Sequence, residues 1–140
     1  MQRNMDGDNG LVSLVLVSHS ATIAQGVAEL VGQVAGEDVS VTAIGGAADG
    51  SLGTDGARVL QALESAAQGS GAVVLMDIGS SVLAVRAALT ELPEDRLARL
   101  HVADAPLVEG ALAAAVTASG GATLEEVADA AEGARTIAKL

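Results

Sequence analysis

The sequence predicts an α/β layer fold: a doubly wound, mostly parallel sheet with helices on both faces. Two patterns carry this expectation. Short β-branched runs alternate with longer amphipathic stretches along the whole chain. The first and third of those runs are apolar at nearly every position, as strands covered on both faces require. The length of 140 residues suits one compact domain. Residues 10–140 are read as that domain. Residues 1–9 are read as a flexible leader, whose two acids make it a poor secretory signal.

The elements follow in order. LVSLVLVS (11–18) is the first strand. Ile23, Val27, Leu30 and Val34 then recur at spacings of four, three and four, the face of a helix. VSVTAI (39–44) reads as the second strand, and GGAADGSLGTDG (45–56), with five glycines in twelve residues, as a loop. Residues 57–68 look helical and AVVLMD (72–77) is a third buried strand. Val82, Val85, Leu89 and Leu92 mark a helix face that stops at Pro93. RLHVAD (99–104) is a short fourth strand, and 107–118 and 124–138 are two Ala-rich helices separated by Gly120 and Gly121.

Composition excludes several functions. The apolar residues are 29 Ala, 17 Val, 17 Leu, 4 Ile and 3 Met, with no aromatic side chain, so the core consists of small and branched groups. Eighteen acids against seven bases give a net charge of −11. A basic stripe and stacking platforms for nucleic acid are both missing. The single lysine, Lys139, follows no glycine loop, so neither a Walker-type phosphate loop nor an internal Schiff base is available. With no cysteine there is no thiolate chemistry, which fits a reducing cytoplasmic location. No apolar run reaches the roughly 20 residues of a membrane-spanning helix.

In an open α/β sheet the ligand site lies beyond the carboxyl ends of the strands, where strand order reverses. If the first strand is central, right-handed crossovers put the third strand on one side of it and the second on the other. His19 and Asp77 then face each other across the switch point. An imidazole held by a carboxylate through one ring N–H presents its other nitrogen as an oriented nucleophile. The residues after His19 and after Asp77 each open a helix, and two helix N-termini offer unpaired N–H groups to one anion. Ser20, Thr22, Ser80 and Ser81 add hydroxyl donors, so a phosphoryl group is stabilised without Lys or Arg.

Plainer readings apply elsewhere. A single histidine at a strand end is more often a satisfied polar residue than a nucleophile. His101 has that reading, since it begins a short strand at the opposite end of the sheet. Arg58 and Arg86 are read as solvated helix residues, and Glu125, Glu126, Asp129 and Glu132 as an exposed helix start and face. The glycine-rich loop is a long connection or a functional one. No G-x-S-x-G elbow exists. A triad of His19, Asp77 and Ser80 or Ser81 would put the serine on the same turn as the acid, a poor geometry. Two histidines 82 positions apart give a weak case for a metal, and none is expected.

Four motifs in order, LVLVSHSATIAQGVAELVGQVAG, GGAADGSLGTDG, VVLMDIGSSVLAVRAAL and DAPLVEGALAAAV, closely resemble the phosphotransferase subunits of PTS-dependent dihydroxyacetone kinases, the DhaM family. More distantly they resemble the IIA domains of the mannose family of the sugar phosphotransferase system. The resemblance covers about residues 11 to 139. The DAPLVEGA and GTDG segments favour the dihydroxyacetone branch.

The resemblance implies a doubly wound parallel sheet, a cytoplasmic homodimer and a phosphocarrier without a cofactor of its own. It places the phosphoryl-accepting histidine on His19 and the aspartate that orients it on Asp77, with Ser20, Thr22, Gly79, Ser80 and Ser81 as phosphate-stabilising candidates. Phospho-HPr, charged by enzyme I, is the implied donor. ADP bound on the partner subunit DhaL is the acceptor, and the resulting ATP serves phosphorylation of dihydroxyacetone on DhaK. Some relatives carry HPr-like and enzyme I-like domains as well, so this sequence implies separate ones. Where the mannose branch has Trp-Gly-Gly, this chain has Ile78-Gly79-Ser80-Ser81, which leaves the surrounding donors open. Two other readings stand beside this one: a IIA component passing phosphate to a sugar-specific IIB protein, and an interaction module regulated by phosphorylation of His19. In every case the site is expected to be shallow and accessible, because its reactants are carried by other proteins.

Overall fold

Alternate residues of a strand point to opposite faces of a sheet, and β1 (Ser13–Ser18) is apolar on both. Leu14 and Leu16 enter one core, Val15 and Val17 the other. The computed structural model describes residues 9–140. After β1 come α1 (Ala21–Ala35), β2 (Val41–Gly45), α2 (Gly56–Ala66), β3 (Ala72–Met76), α3 (Ser80–Leu89), the single turn α4 (Glu94–Leu97), β4 (Leu100–Val102), α5 (Leu107–Ser119) and α6 (Leu124–Gly133). A 3-10 turn over Ala134–Thr136 follows.

The four strands are parallel and ordered β2-β1-β3-β4, so β1 is central and the order reverses between β1 and β3. On one face Leu14, Leu16, Val73 and Leu75 pack with Val27 and Val31 of α1, Ala111, Ala114 and Ala115 of α5 and Val127 of α6. On the other, Val15, Val17 and Val74 meet Val59 and Leu63 of α2 and Val85 of α3. The alanines let α5 and α6 lie close, and Gly110 brings α5 still closer to the sheet. A Cβ there would stand 2.9 Å from Leu75 Cδ2. No helix among the described residues is long and apolar enough to cross a membrane.

The sequence reading needs four corrections. The buried side of α1 is Ala24, Val27 and Val31, while Ile23, Leu30 and Val34 are exposed. The apolar stripe is wider than the strip the sheet covers, and the small Ala24 takes the close position. The helix expected to run to Pro93 ends at Leu89, and Pro93 then serves as N-cap of α4, a position that suits its fixed φ. The last helix ends at Gly133, before the 3-10 turn. His101 is the middle residue of β4, opposite Val73, and its Nε2 lies 3.7 Å from Glu132 Oε1. Glu132 is therefore half-buried and accepts from the Asp104 N–H, unlike a freely solvated helix face. Of the expected leader, residues 1–8 lie outside the described residues. Asn9 is held, its amide donating to the Asp38 carbonyl at 2.7 Å.

Candidate active site

Val17 stands opposite Met76 in the ladder, so the residues that leave β1 and β3 emerge side by side at the carboxyl edge of the sheet. The Asp77 N–H continues that ladder by donating to the Val17 carbonyl at 3.1 Å. From this shared edge His19 Nδ1 meets Asp77 Oδ2 at 2.5 Å.

The acid is held from every side. Ser18 Oγ donates to Oδ2 at 2.7 Å, Ser81 Oγ to Oδ1 at 2.7 Å, and the Ile78 N–H to Oδ1 at 2.6 Å. The His19 N–H adds a longer contact at 3.2 Å. Partial burial pushes the Asp77 carboxyl up. The hydrogen bonds from Ser81, Ser18, the Ile78 amide and the His19 ring outweigh it, holding the group well below the usual carboxylate range. An ionised carboxylate only accepts, so Nδ1 carries the ring proton. In the neutral imidazole Nε2 then has its lone pair free. The His19 side chain is 27% exposed.

Local sequence explains the surroundings. Ser20 caps α1, accepting from the Ile23 N–H at 3.3 Å. Its own N–H donates to Ser18 Oγ, which links the cap to the acid. Gly45, at the end of β2, passes so close that a Cβ would stand 2.4 Å from the Ser20 carbonyl oxygen. Gly79 precedes α3 with φ +41, a conformation that glycine adopts without penalty. The N–H groups of Gly79 and Ser80, and those of Ala21 and Thr22, have no acceptor among the described residues. They open α3 and α1 on either side of the pair.

Of the seven residues expected from sequence, His19 and Asp77 are in direct contact, and Ser20, Thr22, Gly79 and Ser80 lie on the two helix starts beside them. Ser81 is fully buried, and its hydroxyl is used by Asp77. Sequence reasoning passed over Ser18, though a lone polar residue ending an apolar strand was a usable signal. It also passed over Gly53 and Thr54. The Gly53 N–H donates to the His19 carbonyl at 2.9 Å, and Thr54 Oγ1 lies 2.9 Å from Ser80 Oγ. No local pattern announces a contact between a loop and a helix 26 residues away.

Beside Asp77 a cleft of about 460 Å³ runs between α3 and the ends of β3 and β4, lined also by Met76, Val82, Arg86 and Val102. Among the described residues no group of three or more His, Asp or Glu is placed to hold a metal ion.

Residues 13–128 match the EIIA-man family, described as the PTS system fructose IIA component. The chain is 40% identical over 120 residues to the phosphoryl donor subunit DhaM of the PEP-dependent dihydroxyacetone kinase of Escherichia coli K12. That match takes in 84% of this chain and only 25% of the relative's length. It is 37% identical over 106 residues to subunit DhaM of the PEP-dependent dihydroxyacetone kinase 2 of Listeria innocua, covering 76% of this chain and 85% of that one. The crystal structure of the unknown-function protein EF1359 superimposes with a TM-score of 0.77 at 35% identity, over 87% of this chain and 93% of that one. With the family match spanning the whole sheet and a relative of nearly equal length beside it, the chain belongs to the EIIA-man family, in its DhaM branch.

Proposed function

We propose that the chain is a phosphohistidine carrier in which His19 Nε2 takes a phosphoryl group from phospho-HPr and passes it to ADP held on DhaL, for phosphorylation of dihydroxyacetone by DhaK. The observation that carries this reading is the 2.5 Å contact between His19 Nδ1 and Asp77 Oδ2, which leaves Nε2 as the available nucleophile. In the first transfer the Nε2 lone pair forms a P–N bond as the donor's P–N bond breaks. In the second, an ADP oxygen replaces Nε2 and the imidazole is regenerated.

Asp77 has two tasks in this reading. It fixes the ring, and its charge balances the partial positive charge that Nε2 phosphorylation places on the imidazole. Ser18 and Ser81 act through Asp77 and are positioning residues. The free N–H groups at the starts of α1 and α3 are the candidates for the phosphoryl oxygens, with Ser20, Thr22 and Ser80 as hydroxyl donors. A loose phosphoryl-transfer transition state asks for this kind of alignment and charge stabilisation.

Large apolar side chains near the site suit docking by protein-borne reactants. Ile23 in the first turn of α1, Leu52 in the glycine-rich loop and Ile78 after Asp77 are 43%, 73% and 63% exposed. The test is incubation with phosphoenolpyruvate, enzyme I and HPr, followed by addition of DhaL·ADP. An acid-labile adduct on His19 and ATP formation are expected. The family's description as a fructose IIA component keeps a second acceptor in view. Discharge to a sugar-specific IIB protein but not to DhaL·ADP would select that alternative.

A further inference from the structure

The glycine-rich loop 45–56 is closed on itself once and tied to the site in two places. Gly46, just past β2, and Thr54 form an isolated parallel bridge within the loop. The Gly53 N–H donates to the His19 carbonyl at 2.9 Å. Thr54 Oγ1 lies 2.9 Å from Ser80 Oγ, the first residue of α3. On the far side Asp55 caps α2 through the Ala57 and Arg58 N–H groups, so the main chain on both sides of Thr54 is fixed. The Thr54 hydroxyl is thus the end of a braced segment that reaches from the α2 side of the sheet edge to the α3 helix start.

Two hydroxyls carry two protons, and one bond between them uses one. A phosphoryl group offers only acceptors, so Ser80 is useful to it only with its own proton free. We propose that Thr54 is a positioning residue: it donates to Ser80 Oγ, which turns the Ser80 proton toward a phosphoryl oxygen on His19 Nε2. Donation into Ser80 Oγ also polarises its O–H and fixes a rotor that would otherwise have to be ordered during transfer. This rests on the phosphocarrier reading of His19.

The experiment compares the parent with Thr54→Val, Thr54→Ser, Ser80→Ala and the double variant Thr54→Val/Ser80→Ala. It reads the rate of phosphoryl uptake from phospho-HPr, KM for that donor, and the ³¹P chemical shift of the adduct, all well below the thermal midpoint of each variant. Thr54→Val is expected to slow uptake about five-fold at unchanged KM and to move the ³¹P signal. Thr54→Ser restores both. Ser80→Ala matches Thr54→Val, and the double variant is no slower than Ser80→Ala. If Thr54→Val compromises folding, Thr54→Ala in its place must meet the same expectations.

Parent-like uptake by the folded Thr54 variant overturns the proposal while leaving the carrier reading intact. So do losses that multiply in the double variant, since Thr54 then acts independently of Ser80. A rise in KM alone also overturns it, because it makes the loop a docking element. A parent protein that takes no phosphate on His19 defeats the carrier reading itself.

Discussion

Asp77 accepts hydrogen bonds from two serines, two backbone amides and one imidazole, and these donors favour its ionised form. Its depressed folded pKa contributes stability that is fully present above the usual aspartate value. That stability is lost as pH falls through the lower folded value. Asp77→Asn is therefore expected to flatten the acid limb of a stability-against-pH curve, measured by chemical denaturation. The same variant offers Nδ1 no charged acceptor and permits the other tautomer, so uptake of phosphate should fall on the order of a hundred-fold. Ser81→Ala removes a buried donor to Oδ1. It should cost about 1 kcal/mol of stability and raise the Asp77 pKa toward its ordinary value, read by a carboxyl ¹³C titration. The His19–Asp77 pair itself is legible, because a central first strand with right-handed crossovers lies beside the third, and each residue directly follows one of those strands. The serines around the acid were less so. Ser81 lies on a helix start, where a phosphate ligand was expected, and only the direction of its hydroxyl assigns it to Asp77.

At the scale of elements, β1 and β3 could be read directly from their unbroken apolar runs, and the helices after His19 and Asp77 from periodicity. Two features could not be read. The buried face of α1 uses Ala24 where Ile23 looked the better candidate, because closeness of approach, not hydrophobicity alone, decides which residue faces the sheet. The glycine-rich loop combines local turns, in which the Ala47 N–H donates to the Ser51 carbonyl, with two tertiary contacts to His19 and Ser80 that leave no local trace. Gly45 marks where this closeness is most severe. Gly45→Ala would force a methyl group to 2.4 Å from the Ser20 carbonyl oxygen, and main-chain atoms have to move to relieve it. A loss of about 2 kcal/mol is expected in denaturant titration, with slower phosphate uptake because the displaced segment carries His19. A parent-like Gly45→Ala would show that β2 and the α1 start are not tightly coupled.

For the molecule as a whole, the candidate site lies at the edge of the sheet in an acidic chain, with a net charge of −11 and exposed apolar groups on the segments that flank His19 and Asp77. Such a surface suits a basic docking patch on the partner, so the association rate with phospho-HPr should fall as ionic strength rises. Leu52→Glu places a charge on a side chain that is 73% exposed. It should raise KM for the protein donor several-fold and leave the unfolding free energy within about 0.5 kcal/mol of the parent's. The central claim is that His19 offers Nε2 because Asp77 occupies Nδ1. The most direct measurement is nitrogen and phosphorus NMR of the ¹⁵N-histidine-labelled protein after charging with phosphoenolpyruvate, enzyme I and HPr. The account predicts one phosphohistidine, at His19, with phosphorus on Nε2 and the proton on Nδ1. Phosphorus on Nδ1, or on His101, or an adduct that persists in His19→Ala, would contradict it.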